Sequence, residues 1–241
     1  MFSDKLELYF PGSLPIEEYM KQTSQQLKIH GFSEQNTLGV AATCRDEIAE
    51  PLLDEIIKYW GKTFDLRSLG GFFIAGKTGI STVLSHTPVV DSIGRFVLYA
   101  MPHIAISEEG EIGNVYRDGI QGISHACGSL SGVIHELASG HIHFQSDIDD
   151  LEQSIVRQKI ISAIHYGEVP NLLDITILAC KIITGDIKRL LDLVDYSAYN
   201  YAFFTGILIH GPKDTHWVHS NNSYVVTNNF PTGSKLDLQT N

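Results

Sequence analysis

The amino-acid sequence predicts a layered α/β fold, with helices flanking a central mixed sheet, on three observations. Short apolar, β-prone runs alternate along the chain with segments that repeat their apolar residues at helical spacing. The composition, 43% hydrophobic and 19% charged over 241 residues, is that of an ordinary globular core. No Ser/Gly/Pro-rich stretch, charge run or internal repeat divides the chain, so residues 1–241 read as a single domain. From about residue 145 onward a helical layer is expected to be added.

The first helix is expected from near Ser13 to Ile29, with Ser13 as its cap, Glu17 and Glu18 in the first turn, and Gly31 as its stop. Leu38 to Thr43 reads as a short buried strand. Asp46 to Tyr59 follows as a helix, with Ile48, Leu52, Ile56 and Tyr59 on one face. The apolar run Gly70 to Gly76 reads as a second strand, and Arg95 to Ser107 is the strongest strand signal in the chain. Glu108-Glu109-Gly110 supplies a turn, and Glu111 to Tyr116 is expected to return as a hairpin. Gly128–Leu137, Ile148–Tyr166, Leu172–Thr184 and Ile187–Val194 read as helices, and His216–Thr227 as a late strand before a polar tail.

A formal net charge of −11, with Lys and Arg thinly scattered, disfavours nucleic acid and acidic membranes as partners. Three widely spaced cysteines are not a disulfide framework and suit a reducing compartment. The N-terminus lacks the basic region and apolar run of a secretory signal, and no apolar run reaches the ~18–20 residues that span a bilayer. The cytoplasm is the expected location.

Three residues carry the candidate chemistry. Cys44 ends a buried strand just before a helix, where helix-start N–H groups favour thiolate. His103 closes the apolar run VLYAMPH, and Cys127 lies in the small-residue loop SHACGSL ahead of a helix. Singly, each reads as a packed thiol or a core histidine. Together they sit at strand ends and loop-to-helix junctions, where α/β sheets build their sites. Two thiolates and one imidazole form a soft, three-ligand set that suits zinc and leaves a fourth position open. Cys180, mid-helix among Leu178, Ala179 and Ile182, reads as packing.

The segments ATCRDEI, GGFFIAGKTGIST, SHTPVVDSIGR, MPHIAISEEGEIGNVYRDG and SHACGSL, in this order, resemble the limiting CO2-inducible protein B/C family. That family is related to the β-type carbonic anhydrases and grouped as theta-type. The resemblance covers about residues 36–140. It implies a β-carbonic-anhydrase-like fold, zinc (Zn2+) held by Cys44, His103 and Cys127, reversible hydration of carbon dioxide to bicarbonate, and a homodimer. It also implies that Asp46 controls the fourth position, either by accepting a hydrogen bond from the reacting water or by binding zinc and closing the site. The β-type enzymes place an arginine partner in a Cys-x-Asp-x-Arg motif, but here that position is Ile48. Arg117 is the first candidate to replace it, and Arg67 the second. An apolar wall for carbon dioxide is expected near Ile104 and the GGFF run.

Two other readings stay open. A catalytically silent zinc-binding scaffold or regulatory protein would share the same ligands. Gly71 to Thr78 also satisfies the P-loop pattern G-x-x-x-x-G-K-[ST], which would imply nucleotide binding. Its apolar interior, Phe72-Phe73-Ile74, and the want of a preceding strand and of a strand ending in a magnesium-binding Asp argue against that. A glycine-bracketed turn with Lys77 near the active site is the preferred account. His141 and His143 alternate and read as a solvated loop pair, and His210, His216 and His219 carry no informative spacing.

Overall fold

In a computed structural model of the chain, all residues are described except 118, 196, 228, 229 and 236–241, with the backbone alone for 230–235. Helix α1 (Phe2–Tyr9) and strand β1 (Leu14–Pro15) lead into α2 (Ile16–Ile29), β2 (Leu38–Thr43), α3 (Glu50–Trp60) and β3 (Thr63–Asp65). Then come α4 (Gly76–His86), β4 (Val89–Val90), β5 (Ile93–Met101), β6 (His103–Ala105), β7 (Asn114–Val115) and β8 (Ser124–His125). The chain continues through α5 (Gly128–Ser139), α6 (Leu151–Ile161), α7 (Leu172–Leu191), β9 (Tyr199–His210), β10 (His216–Thr227) and β11 (Phe230–Lys235).

The main sheet runs β1-β10-β9-β5-β2-β3. Strands β3, β2, β5 and β9 are mutually parallel, whereas β10 is antiparallel to β9, so the sheet is mixed. Strand alternation sends side chains to opposite faces. Val97, Tyr99 and Met101 of β5 pack against α2 and α3 through Tyr19, Met20, Leu27, Leu52, Ile56 and Trp60. Phe96, Leu98 and Ala100 face the other way, toward residues of α4 to α7 such as Val83, Leu130, Val156 and Ile183. The result is helix, sheet and helix in three layers.

Several boundaries differ from expectation for identifiable reasons. Ser13 does not cap α2; its hydroxyl donates to the Phe10 carbonyl, and Pro15 occupies the cap position. The segment 46–59 begins as a short 3-10 turn, Glu47–Ala49, before α3. The expected break near Gly185 does not occur, because Ile183, Ile187, Leu190 and Leu191 pack on the sheet. That burial outweighs the ~1 kcal/mol helix cost of an exposed glycine. The expected return of 111–116 as a hairpin is limited to an Ile106–Ile112 bridge, and Asn114–Val115 pairs instead with Ser124–His125.

The largest difference is at 70–76, which is not a strand. Leu69–Gly71 is a tight turn with φ of +64° at Gly70 and +73° at Gly71. A Cβ on Gly71 would lie 2.4 Å from the Met101 carbonyl oxygen, so only glycine lets this turn lie against the β5–β6 junction. The C-terminal part supplies the expected helices α6 and α7 and the expected strand β10. It also supplies β9, twelve residues that pair with both β5 and β6.

Candidate metal centre

Three elements deliver the candidate residues to one place. Cys44 leaves the C-terminal end of β2 and is bridged to Ser68. Pro102 lacks an N–H and interrupts the sheet between β5 and β6, so that His103 opens β6 beside β9. Cys127 is the residue before α5, and its carbonyl accepts from Ser131 N–H. The Cys44 and Cys127 sulfurs are 3.9 Å apart. The two sulfurs and a His103 ring nitrogen all lie within 4.8 Å of one another, and all three residues are buried.

The electrostatics fit a cation. The Cys127 thiol contact holds Cys44 down at about 4 against the cost of burial, with His103 and the Asp46 N–H assisting. The same contact, with burial, pushes Cys127 well above the usual thiol range. Two thiols thus share a proton that a metal ion would displace. His103 Nε2 is buried and has no hydrogen-bond partner among the described residues. A buried ring nitrogen left in this way is costly, and an ion between it and the two sulfurs would satisfy it. The cluster can therefore hold a metal ion.

Asp46 and Arg117 stand beside it. Both Arg117 terminal nitrogens donate to Asp46, Nη1 to Oδ1 and Nη2 to Oδ2, each at 2.9 Å. Nη1 also bonds Glu47. Burial, the largest influence, opposes the Asp46 charge, but the Arg117 guanidinium, with Glu47 and His103 assisting, holds the carboxyl below the usual range. Asp46 Oδ2 is 3.8 Å from His103 Nε2, too long for a hydrogen bond. A cavity of about 910 Å³ opens here, with Arg117, Ile48, Ile106, Val115 and Ile120 among its lining residues.

The family model of the limiting CO2-inducible proteins B/C β carbonic anhydrases matches residues 13–227. The chain belongs to that family. The solved structure of the limiting CO2-inducible protein LCIB is 28% identical, covers 97% of this chain and 98% of its own, and superposes with a TM-score of 0.78. PtLCIB4, described as a homolog of LCIB, is 22% identical with a TM-score of 0.81, covering 97% of this chain and 98% of its own. A point mutant of PtLCIB4 reaches a TM-score of 0.83 at 22% identity, with 99% of each chain covered. These superpositions bear out the LCIB-like sheet flanked by helices. No curated protein matches the chain.

The other candidates fall elsewhere in this LCIB-type fold. Arg67 pairs with Asp65 rather than Asp46. Ile104 and Phe72 are fully buried in the core, so the apolar lining of the cavity comes from Ile48, Ile106, Val115 and Ile120 instead. His141 and His143 are exposed. Cys180 is buried in α7, its thiol donating to the Gly206 carbonyl.

The P-loop pattern gains a preceding strand, β3, which the sequence reading denied it, and a following helix of eleven residues, α4. Its interior nevertheless forms no cradle, because Phe72 and Phe73 fill the core and the Gly71, Phe72 and Ile74 N–H groups bond to nearby carbonyls. Lys77 is exposed and lines a separate small cavity with Lys159 and Asp186, in which none of Cys44, Asp46, His103, Arg117 and Cys127 takes part, rather than the active site expected for it. Lys77→Ala is expected to leave metal content and melting temperature unchanged, as an exposed substitution costs about 0.5 kcal/mol at most. Calorimetry with magnesium–ATP on the parent protein is expected to show no binding; binding lost in Lys77→Ala would restore the nucleotide reading.

Sequence reading missed His210 and His216. His103 Nδ1 is 2.9 Å from His210 Nε2, His210 Nδ1 is 2.9 Å from His216 Nδ1, and His216 Nε2 is 3.0 Å from Asp214 Oδ1. Burial, with His103, His216 and Arg117 nearby, holds His210 well below the usual histidine range and hence neutral. One signal was present in the sequence: His210 closes the apolar run YAFFTGILIH just as His103 closes VLYAMPH.

Proposed function

We propose that this chain is a zinc-dependent carbonic anhydrase that interconverts carbon dioxide and bicarbonate. Cys44, His103 and Cys127 would hold the ion. Two soft thiolates and an imidazole favour zinc over hard cations. Zinc–sulfur bonds of about 2.3 Å at the tetrahedral angle require sulfurs roughly 3.8 Å apart, close to the 3.9 Å separation here. Bound in this shell, zinc supplies the Lewis acidity that makes water a nucleophile near neutral pH.

The remaining roles belong to the chain. Asp46 accepts a hydrogen bond from the reacting water and so aims its lone pair at carbon dioxide. Arg117 keeps Asp46 ionised and fixed by its two-pronged grip. This grip is the observation that carries the reading, because it restrains the carboxylate from taking the fourth metal position. Ile48, Ile106 and Val115 offer the uncharged substrate an apolar wall. A silent zinc scaffold would need Asp46 released from Arg117 and turned toward the ion.

The remaining expectations are part of the same proposal. One continuous sheet with cores on both faces supports a single domain over 1–241. A homodimer is expected from the family resemblance, and exposed Tyr116, Ile120 and Ile123 beside the cavity offer apolar surface for it. Three free, buried cysteines suit a reducing cytoplasm. No described helix is long and apolar enough to cross a membrane.

Zinc content per chain and stopped-flow carbon dioxide hydration on one sample test the proposal. About one zinc with hydration is expected. One zinc without hydration would favour the silent scaffold, and no zinc would overturn the metal reading.

A further inference from the structure

We infer that His210, oriented by His216, is a positioning residue for the metal: it locks the His103 imidazole in the tautomer that presents Nε2 to the ion. The inference rests on the zinc reading above and extends it to residues outside the ligand set.

The direction of every bond in the chain follows from its two ends. His103 Nε2 must keep a lone pair to bind a metal, so its proton sits on Nδ1 and is donated to His210 Nε2. A neutral His210 then carries its own proton on Nδ1 and donates it to His216 Nδ1. His216 is left with its proton on Nε2, facing the Asp214 carboxylate. The other assignment would have each ring donate inward, put a proton on the His103 nitrogen that the metal needs, and leave a His216 Nε2 lone pair facing the Asp214 carboxylate. A metal at one end and a carboxylate at the other therefore select the same set of tautomers.

The backbone fixes these rings in place. His210 and His216 are cross-strand partners in the β9–β10 ladder. Parallel pairing of His103 with Leu208 and of Ala105 with His210 sets β6 alongside β9. His103 and His210 are buried at 0% and 2% exposure. The Asp214 side chain is 91% exposed, so water can replace it. The effect must then be largest at His210, smaller at His216 and least at Asp214. A hydrogen bond from the far nitrogen of a metal-binding histidine raises its basicity and orients its ring, and its loss commonly weakens metal binding about 10- to 100-fold.

The test compares zinc dissociation constants, by chelator competition, with nitrogen-15 imidazole spectra of zinc-loaded protein. Wild type is expected to show one tautomer per ring, protonated at Nδ1 in His103 and His210 and at Nε2 in His216. His210→Leu is expected to weaken zinc binding about 10- to 100-fold. His210→Gln, whose amide oxygen can accept the same bond, is expected to recover most of that loss. A His210→Leu variant that binds zinc as tightly as wild type, or a Gln variant no better than Leu, overturns the inference. If His210→Leu fails to fold, His216→Phe decides. A several-fold weaker zinc affinity and loss of the single Nδ1-protonated His210 species support the inference, and no change in either overturns it. Wild type that takes up no zinc would overturn both this inference and the metal reading. Wild type that binds zinc, with unaffected variants, would overturn this inference alone.

Discussion

Replacing Cys127 by serine is expected to reduce bound zinc from about one ion per chain to near none and to abolish carbon dioxide hydration. A serine hydroxyl stays protonated where a thiol ionises, so the variant loses an anionic ligand rather than merely a larger atom. The Leu130 and Ser129 N–H groups at the start of α5 favour the Cys127 thiolate, although Cys44 and burial keep the thiol protonated until a cation offsets them. Once that sulfur is gone, Cys44 and His103 remain as two donors, too few for a closed zinc shell. The effect extends to stability. An ion present at a thousand times its dissociation constant stabilises the folded state by about 4 kcal/mol, worth roughly 8–16 °C in a chain of this length. Wild type should therefore melt lower after chelation, whereas Cys127→Ser should melt low with or without the chelator. Cys180→Ser is the control. Its sulfur belongs to a separate cluster with Ile104, Ile106, Ile207 and Ile209, so its zinc content should match wild type. Full zinc stoichiometry in Cys127→Ser would remove Cys127 from the ligand set.

What the sequence disclosed follows the range of the forces involved. β2 and β10 were legible to the residue, because turn residues bound an apolar or alternating run at each. α5 was legible because small residues open it and Gly140 in the left-handed region ends it. β9 was not. It is buried on both faces, so its residues show no two-residue alternation, and a continuous apolar run does not declare itself strand or helix. At 70–76 the apolar content was read correctly and the backbone wrongly: consecutive glycines with positive φ make a turn, and Phe72 and Phe73 enter the core from a loop.

The site divides in the same way. Cys44, His103 and Cys127 were visible because each stands at a strand end or a helix start, a local property. Arg117 was accessible only by asking what could replace the arginine missing at Ile48. His210 and His216 depend on the register between β6, β9 and β10, which no local pattern encodes. Once β9 was overlooked, its terminal histidine had nowhere to be placed.

Arg117→Leu is expected to keep the zinc and lose the reaction. The guanidinium grips both Asp46 oxygens at 2.9 Å while also bonding Glu47, and Asp46 has no comparable partner among the described residues. Without that grip, Asp46 Oδ2, already 3.8 Å from His103 Nε2, is free to turn toward the ion and occupy the position water needs. The three protein ligands are untouched, so zinc content should stay at about one per chain, and bound zinc should resist chelation at least as well. Losing one fixed polar partner of the reacting group costs about 10²- to 10³-fold in kcat, and an occupied fourth position would deepen the loss. Arg117→Lys separates charge from geometry. An ammonium can offset the Asp46 charge but cannot span both oxygens, so the carboxylate stays ionised yet loosely aimed. Its kcat/KM should fall between wild type and Arg117→Leu. Hydration within a few-fold of wild type in Arg117→Leu, at full zinc content, would make Arg117 a loop charge that happens to lie near Asp46. The control of the fourth position would then rest on the pocket around Asp46 itself.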